Sequence, residues 1–425
     1  MSLRKLAFPL LGGLIASTPF ASLAVWSQTV AQDVTPVSIT SDRPLEGAST
    51  AGETWPLPPL AEGEISLIFM GDTNISYRED PDSAFSEIAA TLLTADVLYA
   101  NLEGPFAGGT DDPEASDAPG KDWRHSNPDQ VAALTAAGFD AVGTANNVTL
   151  PRDAAMRSLA VLQGAGIAQT GSGANIEAAR APVILERGGL RIGILQRSTL
   201  FEQDDHLATA DQPGIAGFAV DTLYRPDLRG NKPGRPMRVE TRLDPQAVAQ
   251  WRSDIAALSA VTDIQIVSFH WGLSDAATNV GYEEELARLS IDAGADAVIG
   301  HGTHRFKPVE VYAGRPIFYD IGQGLFDDRR NFDAIKGGTR SQRYPEGLMV
   351  RLRADRTGVT GAEFVPLWRD TFGDDLLRLY RTDSDVGRQV IEELRVRMRM
   401  AYMREPFMIE PEWVRLEGID PSASD

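Results

Sequence analysis

Five histidines and no cysteine set the chemistry open to this 425-residue chain. Without a thiolate, any metal or acid–base site must be built from imidazole, carboxylate and carboxamide groups, and disulfides and cysteine nucleophiles are excluded. The histidines are His125, His206, His270, His301 and His304, and the last three fall in two short motifs, His270-Trp271-Gly272 and Gly300-His301-Gly302-Thr303-His304. Further polar groups stand in Gly71-Asp72, in Asn101-Leu102-Glu103 and in Ala145-Asn146-Asn147. Mixed Asp, Glu, His and Asn sets suit borderline-hard divalent ions such as Zn, Mn or Fe. Two such ions ~3.5–4 Å apart can clamp both oxygens of a displacement. Each motif also has a plainer reading. Asp72 can cap a turn, Glu103 can be a solvated strand end, Asn146-Asn147 is a common turn pair, and His270 can be a satisfied core histidine.

What gives the motifs weight is where they fall. Apolar runs of buried-strand type precede each of them: Ile65 to Met70, Val97 to Ala100, Ala141 to Thr144, Ile264 to Phe269, and Ala297 to Gly300, with another run at Leu190 to Leu195. Helical stretches alternate with these runs. Asn127-Pro128 reads as an N-cap with proline at the first helical position, leading to Gly138 as a stop. Asp153 to Gly164, Asp244 to Leu258 and Tyr282 to Ala293 carry amphipathic spacing. Such alternation predicts a layered α/β fold with a largely parallel sheet, whose sites lie beyond the carboxyl ends of the strands. Three histidines, two carboxylates and an asparagine pair are therefore expected on one edge. After Gly300 the pattern turns to antiparallel hairpins, Val309 to Tyr319 and Leu348 to Leu367, and Ser384 to Arg404 reads as a final helix.

Composition bounds the rest. Hydrophobic residues at 43% and charged residues at 24% are ordinary for a globular protein. Forty basic against 60 acidic residues, a net charge of −20, argue against nucleic-acid binding. Arg4 and Lys5, an apolar run to Trp26 and small-x-small sites near Ala24 and Ala31 describe a secretory signal peptide, with an uncleaved anchor as the alternative. The expected organisation is a signal peptide over 1–31, an extended linker over 32–62, one domain over 63–375, and a C-terminal helix and tail over 376–425. Two basic islands interrupt the acidic chain. Arg235 and Arg238 lie in the first, Arg340 and Arg343 in the second, and they are candidates for drawing a polyanion to the site.

Taken in order, the motifs resemble those of the CapA family, the poly-γ-glutamate capsule biosynthesis proteins within the calcineurin-like metallophosphatase superfamily. The connecting text is similar too, in Ala136 to Asp140, Ala178 to Glu186 and Asp292 to Asp296. The resemblance spans about Ile65 to Phe326 and implies a metallophosphatase-like αββα sandwich with two central sheets. It implies one or two divalent ions (Mn, Zn or Fe), held by Asp72, Glu103, Asn147, His270, His301 and His304. Asn146 would face the substrate and His125 could add an imidazole. The partner would be an anionic polymer or phosphoester, together with envelope polymer-synthesis machinery, and the compartment periplasmic or cell-envelope. Val148 and Gly302 stand where the family carries histidine. Two readings therefore remain: a metal-dependent hydrolase, or a polymer-binding or assembly component without turnover.

Overall fold

The computed structural model describes residues 46–76, 78, 80–108, 124–202, 205–225, 238–273, 276, 278–327, 346–370 and 374–423. The expected signal peptide, Arg235, Arg340 and Arg343 lie outside these residues. Among them, no helix is long and apolar enough to cross a membrane.

Alternation along the strands builds the layers. In the strands β1 (Ile65–Asn74), β2 (Val97–Leu102) and β3 (Ala141–Gly143), Leu67, Phe69, Tyr99 and Ala141 point one way, while Ile68, Met70, Leu98, Ala100 and Val142 point the other. The same parity governs β4 (Leu190–Ser198), β5 (Ile264–His270) and β6 (Ala297–His301). Their Ile192, Ile194, Ile264, Ile266, Ala297 and Ile299 join Leu67 and Phe69 in a shared core, whereas Leu195, Val267, Phe269 and Val298 face outward. Two sheets therefore press their inner faces together. Burying each such side chain is worth about 1.5–3 kcal/mol, so the doubly covered strands need apolar residues on both faces.

Helices cover both outer faces, giving the expected αββα sandwich. On the larger sheet lie α1 (Ala132–Ala137), through Ala133, Leu134 and Ala137, and α2 (Arg152–Gly164), through Leu162. On the smaller sheet lie α3 (Pro245–Ser259), through Trp251 and Ile255, and α4 (Gly281–Asp292), through Leu286 and Ile291. Their ends follow local chemistry. Asn127 and Gln130 form a capping box ahead of α1, and Gly138 closes it at φ +83°. Asp244 accepts the amides of Gln246 and Ala247 at the start of α3.

Among the described residues, the larger sheet has ten strands and the smaller six. Both are parallel at the centre, β1 beside β2 and β2 beside β3 in one, and β4 beside β5 and β5 beside β6 in the other. Antiparallel pairs finish the edges, including Glu346–Asp355 against both β1 and Gly358–Arg369. The segment beyond residue 376 is woven into this body. Leu377–Leu379 and Val414–Leu416 both pair with Gly358–Arg369. The final helix α5 (Asp385–Met400) seals the shared core with Val386, Val390, Leu394 and Met398. Part of the region expected as a tether is likewise docked. Trp55 is buried, with its ring nitrogen donating to Glu412 O, and Ser49 exchanges hydrogen bonds with Leu379.

Candidate metal centre

One extra residue aims the first carboxylate. Met70 pairs with Ala100 but Asp72 with Asn101, so Gly71 is a bulge in β1. Strict alternation would send Asp72 outward with Ile68 and Met70; the bulge turns it to the inner face beside Asn101. Only glycine fits there, because a Cβ at Gly71 would stand 2.1 Å from Gly322 O. On the facing sheet no correction is needed. His270 and His301 continue the inward parity of Ile266 and Ile299 and pair with each other at the ends of β5 and β6. The site thus forms at the carboxyl-end opening of the gap between the sheets.

Asp72, Glu103 and His304 each offer a ligand atom, all within 4.8 Å of one another. His304 bridges the carboxylates, Nδ1 lying 3.1 Å from Asp72 Oδ2 and Nε2 lying 3.4 Å from Glu103 Oε1. It does so from a left-handed backbone at φ +61°, a cost histidine tolerates better than most residues. Asp320 pins this turn by accepting from Thr303 N, Thr303 Oγ1 and Gly322 N. His301 Nδ1 lies 3.9 Å from Asp72 Oδ1. Asn101 Nδ2 donates to Asp72 Oδ1 at 2.8 Å and lies 3.2 Å from His270 Nδ1. Its Oδ1 accepts in turn from Gln196 Nε2 of β4, so a carboxamide relay joins the two sheets beneath the site.

Electrostatics divide the imidazoles. Burial raises the Asp72 carboxyl, but the hydrogen bond and charge of His304, with His270 and His301, outweigh it and hold it well below the usual carboxylate range. Burial pushes Glu103 up to about 8, against His304 and with the help of Asp72. Burial also pushes His270 down to about 3 and His301 down to about 4 despite the attraction of Asp72. For His304 burial loses: Glu103 and Asp72 carry it up to about 9. At neutral pH His270 and His301 are therefore neutral imidazoles, the form that binds metal, and His304 is a cation between the carboxyl groups.

The donors fit a divalent ion. Both ring nitrogens of His301, with His270 Nε2 and Glu103 Oε2, are buried without a hydrogen-bond partner among the described residues. Polar atoms so enclosed cost about 1–3 kcal/mol each unless something satisfies them; a cation would satisfy Glu103 Oε2 and the bare nitrogen of His301, while the N–H of each neutral imidazole calls for an acceptor.

The remaining expected residues are placed differently. Asn146 is fully buried, donating to Leu102 O and accepting from Val148 N and Thr149 Oγ1. Its role is to lock the turn after β3 onto the end of β2. Asn147 sits partly exposed in that turn, between the buried Asn146 and Val148. His125 is buried and its Nε2 donates to Leu150 O, bracing the same turn. Gly302 has φ +110°, and a Cβ there would come within 3.0 Å of Trp271 N and O and 3.1 Å of His270 Cε1. Its N–H donates to Asp72 Oδ2. The backbone of Arg238 opens the strand Arg238–Leu243, whose partner strand is Val220–Arg225, away from the central sheets. On this hairpin Arg225 and Arg242 pair with Glu240 and Asp221. Sequence reasoning assigned no role to Asn101, Gln196, Asp320 or Arg124. The signal for Asn101 was its register opposite Asp72, which shows only once the bulge is known.

The chain was compared with known proteins. A profile described as "Bacterial capsule synthesis protein PGA_cap" matches residues 60–328. A probable polyglutamine synthesis accessory protein of Mycobacterium tuberculosis is 29% identical over 355 residues, covering 81% of this chain and 85% of that protein. The PGA biosynthesis protein CapA of Bacillus subtilis is 24% identical over 329 residues, covering 74% of each. Among solved structures, the NAD nucleotidase of Haemophilus influenzae aligns at 10% identity and a TM-score of 0.36, covering 78% of this chain and 56% of that one.

Proposed function

We infer a function from the premise that the chain belongs to the bacterial capsule synthesis family PGA_cap: it is an exported, metal-dependent hydrolase of the phosphoesterase type that acts in an anionic envelope-polymer pathway. The observation that carries the reading is His301, fully buried beside Asp72 with neither ring nitrogen hydrogen-bonded to any described residue. The names of the capsule and polyglutamine relatives support the polymer pathway. The leader-like residues ahead of Ala31 support export.

Asp72, Glu103, His270, His301 and His304 would hold the ion, with Asn147 from the neighbouring turn as a further candidate. A divalent cation there supplies Lewis-acid polarisation of a phosphoryl or carbonyl oxygen. The chain supplies the rest. Asn101 orients Asp72 through the hydrogen bond to Oδ1, and Gln196 orients Asn101. Glu103 gives up its proton when it joins Asp72 and His304 around the ion. Burial of Asp72, His270 and His301 keeps bulk water from competing.

Gly302 and Val148 favour a second reading, a polymer-binding or assembly component without turnover. Neither provides an imidazole, and the backbone at Gly302 resists one. Assaying the purified chain on a generic phosphodiester and monoester with added Mn or Zn separates the two. Metal-dependent turnover that Asp72→Ala and His270→Ala abolish supports the hydrolase. Polymer binding with no turnover under any metal supports the second reading.

A further inference from the structure

Arg124 stands beside the cluster without being one of its ligands. Its carbonyl accepts from Asn74 Nδ2 at 2.9 Å, and the same carboxamide donates to Glu103 O at 2.7 Å. One side chain at the end of β1 therefore ties the arginine segment to the carboxylate segment. Gly104 lets this knot close, since a Cβ there would lie 2.7 Å from Asn74 Nδ2 and 3.1 Å from Arg124 O. Aromatic stacking fixes the other end of the residue. The guanidinium carbon is 4.8 Å from the centre of the Phe326 ring, and that ring is 4.7 Å from the ring of His304. Arg124 is partly exposed, and His304 is the exposed edge of the cluster at 17%, while Asp72 and His301 beneath are closed off. Its positive charge reaches both Glu103 and His304.

We propose that Arg124 is the oxyanion clamp of this site, a specificity-determining residue that presents its planar guanidinium to a phosphate or carboxylate group of the substrate. A guanidinium held on an aromatic face by a fixed backbone is already oriented, so little side-chain entropy is lost when it takes an anion in bidentate fashion. It also answers an electrostatic problem. An anion approaching the Asp72 carboxylate meets repulsion, and a cation at the exposed edge offsets it. The inference rests on the hydrolase reading for the purpose of the bound group, but not for the binding itself.

The test is calorimetric titration of the full chain, once stripped of metal and once loaded with Mn, with inorganic phosphate and with a short γ-linked glutamate oligomer. Wild type, Arg124→Gln and Arg124→Lys are compared, with thermal melts as the folding control. Wild type should bind at least one probe, and Arg124→Gln should weaken it roughly tenfold or more at an unchanged melting temperature. Arg124→Lys, which keeps the charge and loses the fork, should fall between and gives a reading even if the glutamine variant folds poorly. A loss confined to phosphate names a phosphoester, and a loss confined to the oligomer names a carboxylate polymer. Equal affinity in Arg124→Gln, or no binding of either probe by wild type, overturns the proposal. Arg124-dependent binding without turnover would sink the hydrolase reading and leave this one standing. Turnover with an unchanged KM in Arg124→Gln would do the reverse.

Discussion

Asn146 after β3 and His301 at the end of β6 look alike in sequence, each a ligand-type residue where an apolar strand gives way to a turn, yet the structure surrounds them in opposite ways. At Asn146, Nδ2 donates to Leu102 O and Oδ1 accepts from Val148 N and Thr149 Oγ1, so both polar side-chain atoms have partners. His301 is as deeply buried, and neither of its nitrogens has a hydrogen-bond partner among the described residues. The difference teaches that residue type does not separate a scaffold turn from a ligand turn. Hydrogen-bond accounting does, because a buried polar atom left open must be satisfied by something the chain does not contain.

The comparison breaks most easily at the ligand turn. Asp72→Ala and His301→Ala should each abolish metal binding and any metal-dependent turnover, read by metal analysis and by assay. Next in size, Asn101→Ala should keep the fold and weaken metal affinity roughly 10–100-fold, since it removes only the group that orients Asp72. Titration with Mn measures this. At the scaffold turn the pattern inverts. Asn146→Ala leaves Leu102 O without its side-chain partner and should lower stability by about 2 kcal/mol in denaturant unfolding, with Mn affinity nearly unchanged. If Asn146→Ala removed the metal instead, the distinction between the turns would be lost.

The smallest effect is the pH dependence of the metal-free protein. His270 and His301 have folded pKa values of about 3 and about 4, below their unfolded values, so they remove stability as pH falls below about 6.5. His304 lies higher when folded, at about 9, so its contribution is full below about 6.5 and is lost as pH rises through 9. Glu103, at about 8 when folded, loses stability in the same upward direction. Within the metal-free site, the two depressed imidazoles therefore cost stability below about pH 6.5 and His304 and Glu103 cost it as pH rises towards 9, each by up to about 1.4 kcal/mol per pH unit. Metal affinity should rise from pH 6 to 9, as His304 and Glu103 give up their protons. Melts and titrations across that range check both signs.

Much of this arrangement was legible beforehand. Period-two alternation in Ile65 to Met70 and Ile264 to Phe269 exposes the two-faced strands, and the inward parity of Ile266 and Ile299 carries straight to His270 and His301. Asp72 is the exception. Its parity is reversed by a bulge that no local pattern announces, because the cause is Gly322 O approaching from a strand pair far along the chain. The internal bond of Asn146 is hidden for a related reason: its partner Leu102 O belongs to another strand end, and a carboxamide carries no mark of whether its bonds are internal. Arg124 was passed over because its meaning depends on Asn74, Glu103 and Phe326, distant in sequence and adjacent in space.

The central claim is that the turn after β6 and the two facing carboxylates form a metal site. Metal analysis of the full chain after incubation with Mn or Zn and removal of free ion, beside Asp72→Ala treated in the same way, tests it most directly. Wild type should retain at least one ion per chain and the variant essentially none. A wild-type chain that retains no ion, or a variant that retains as much, would contradict it.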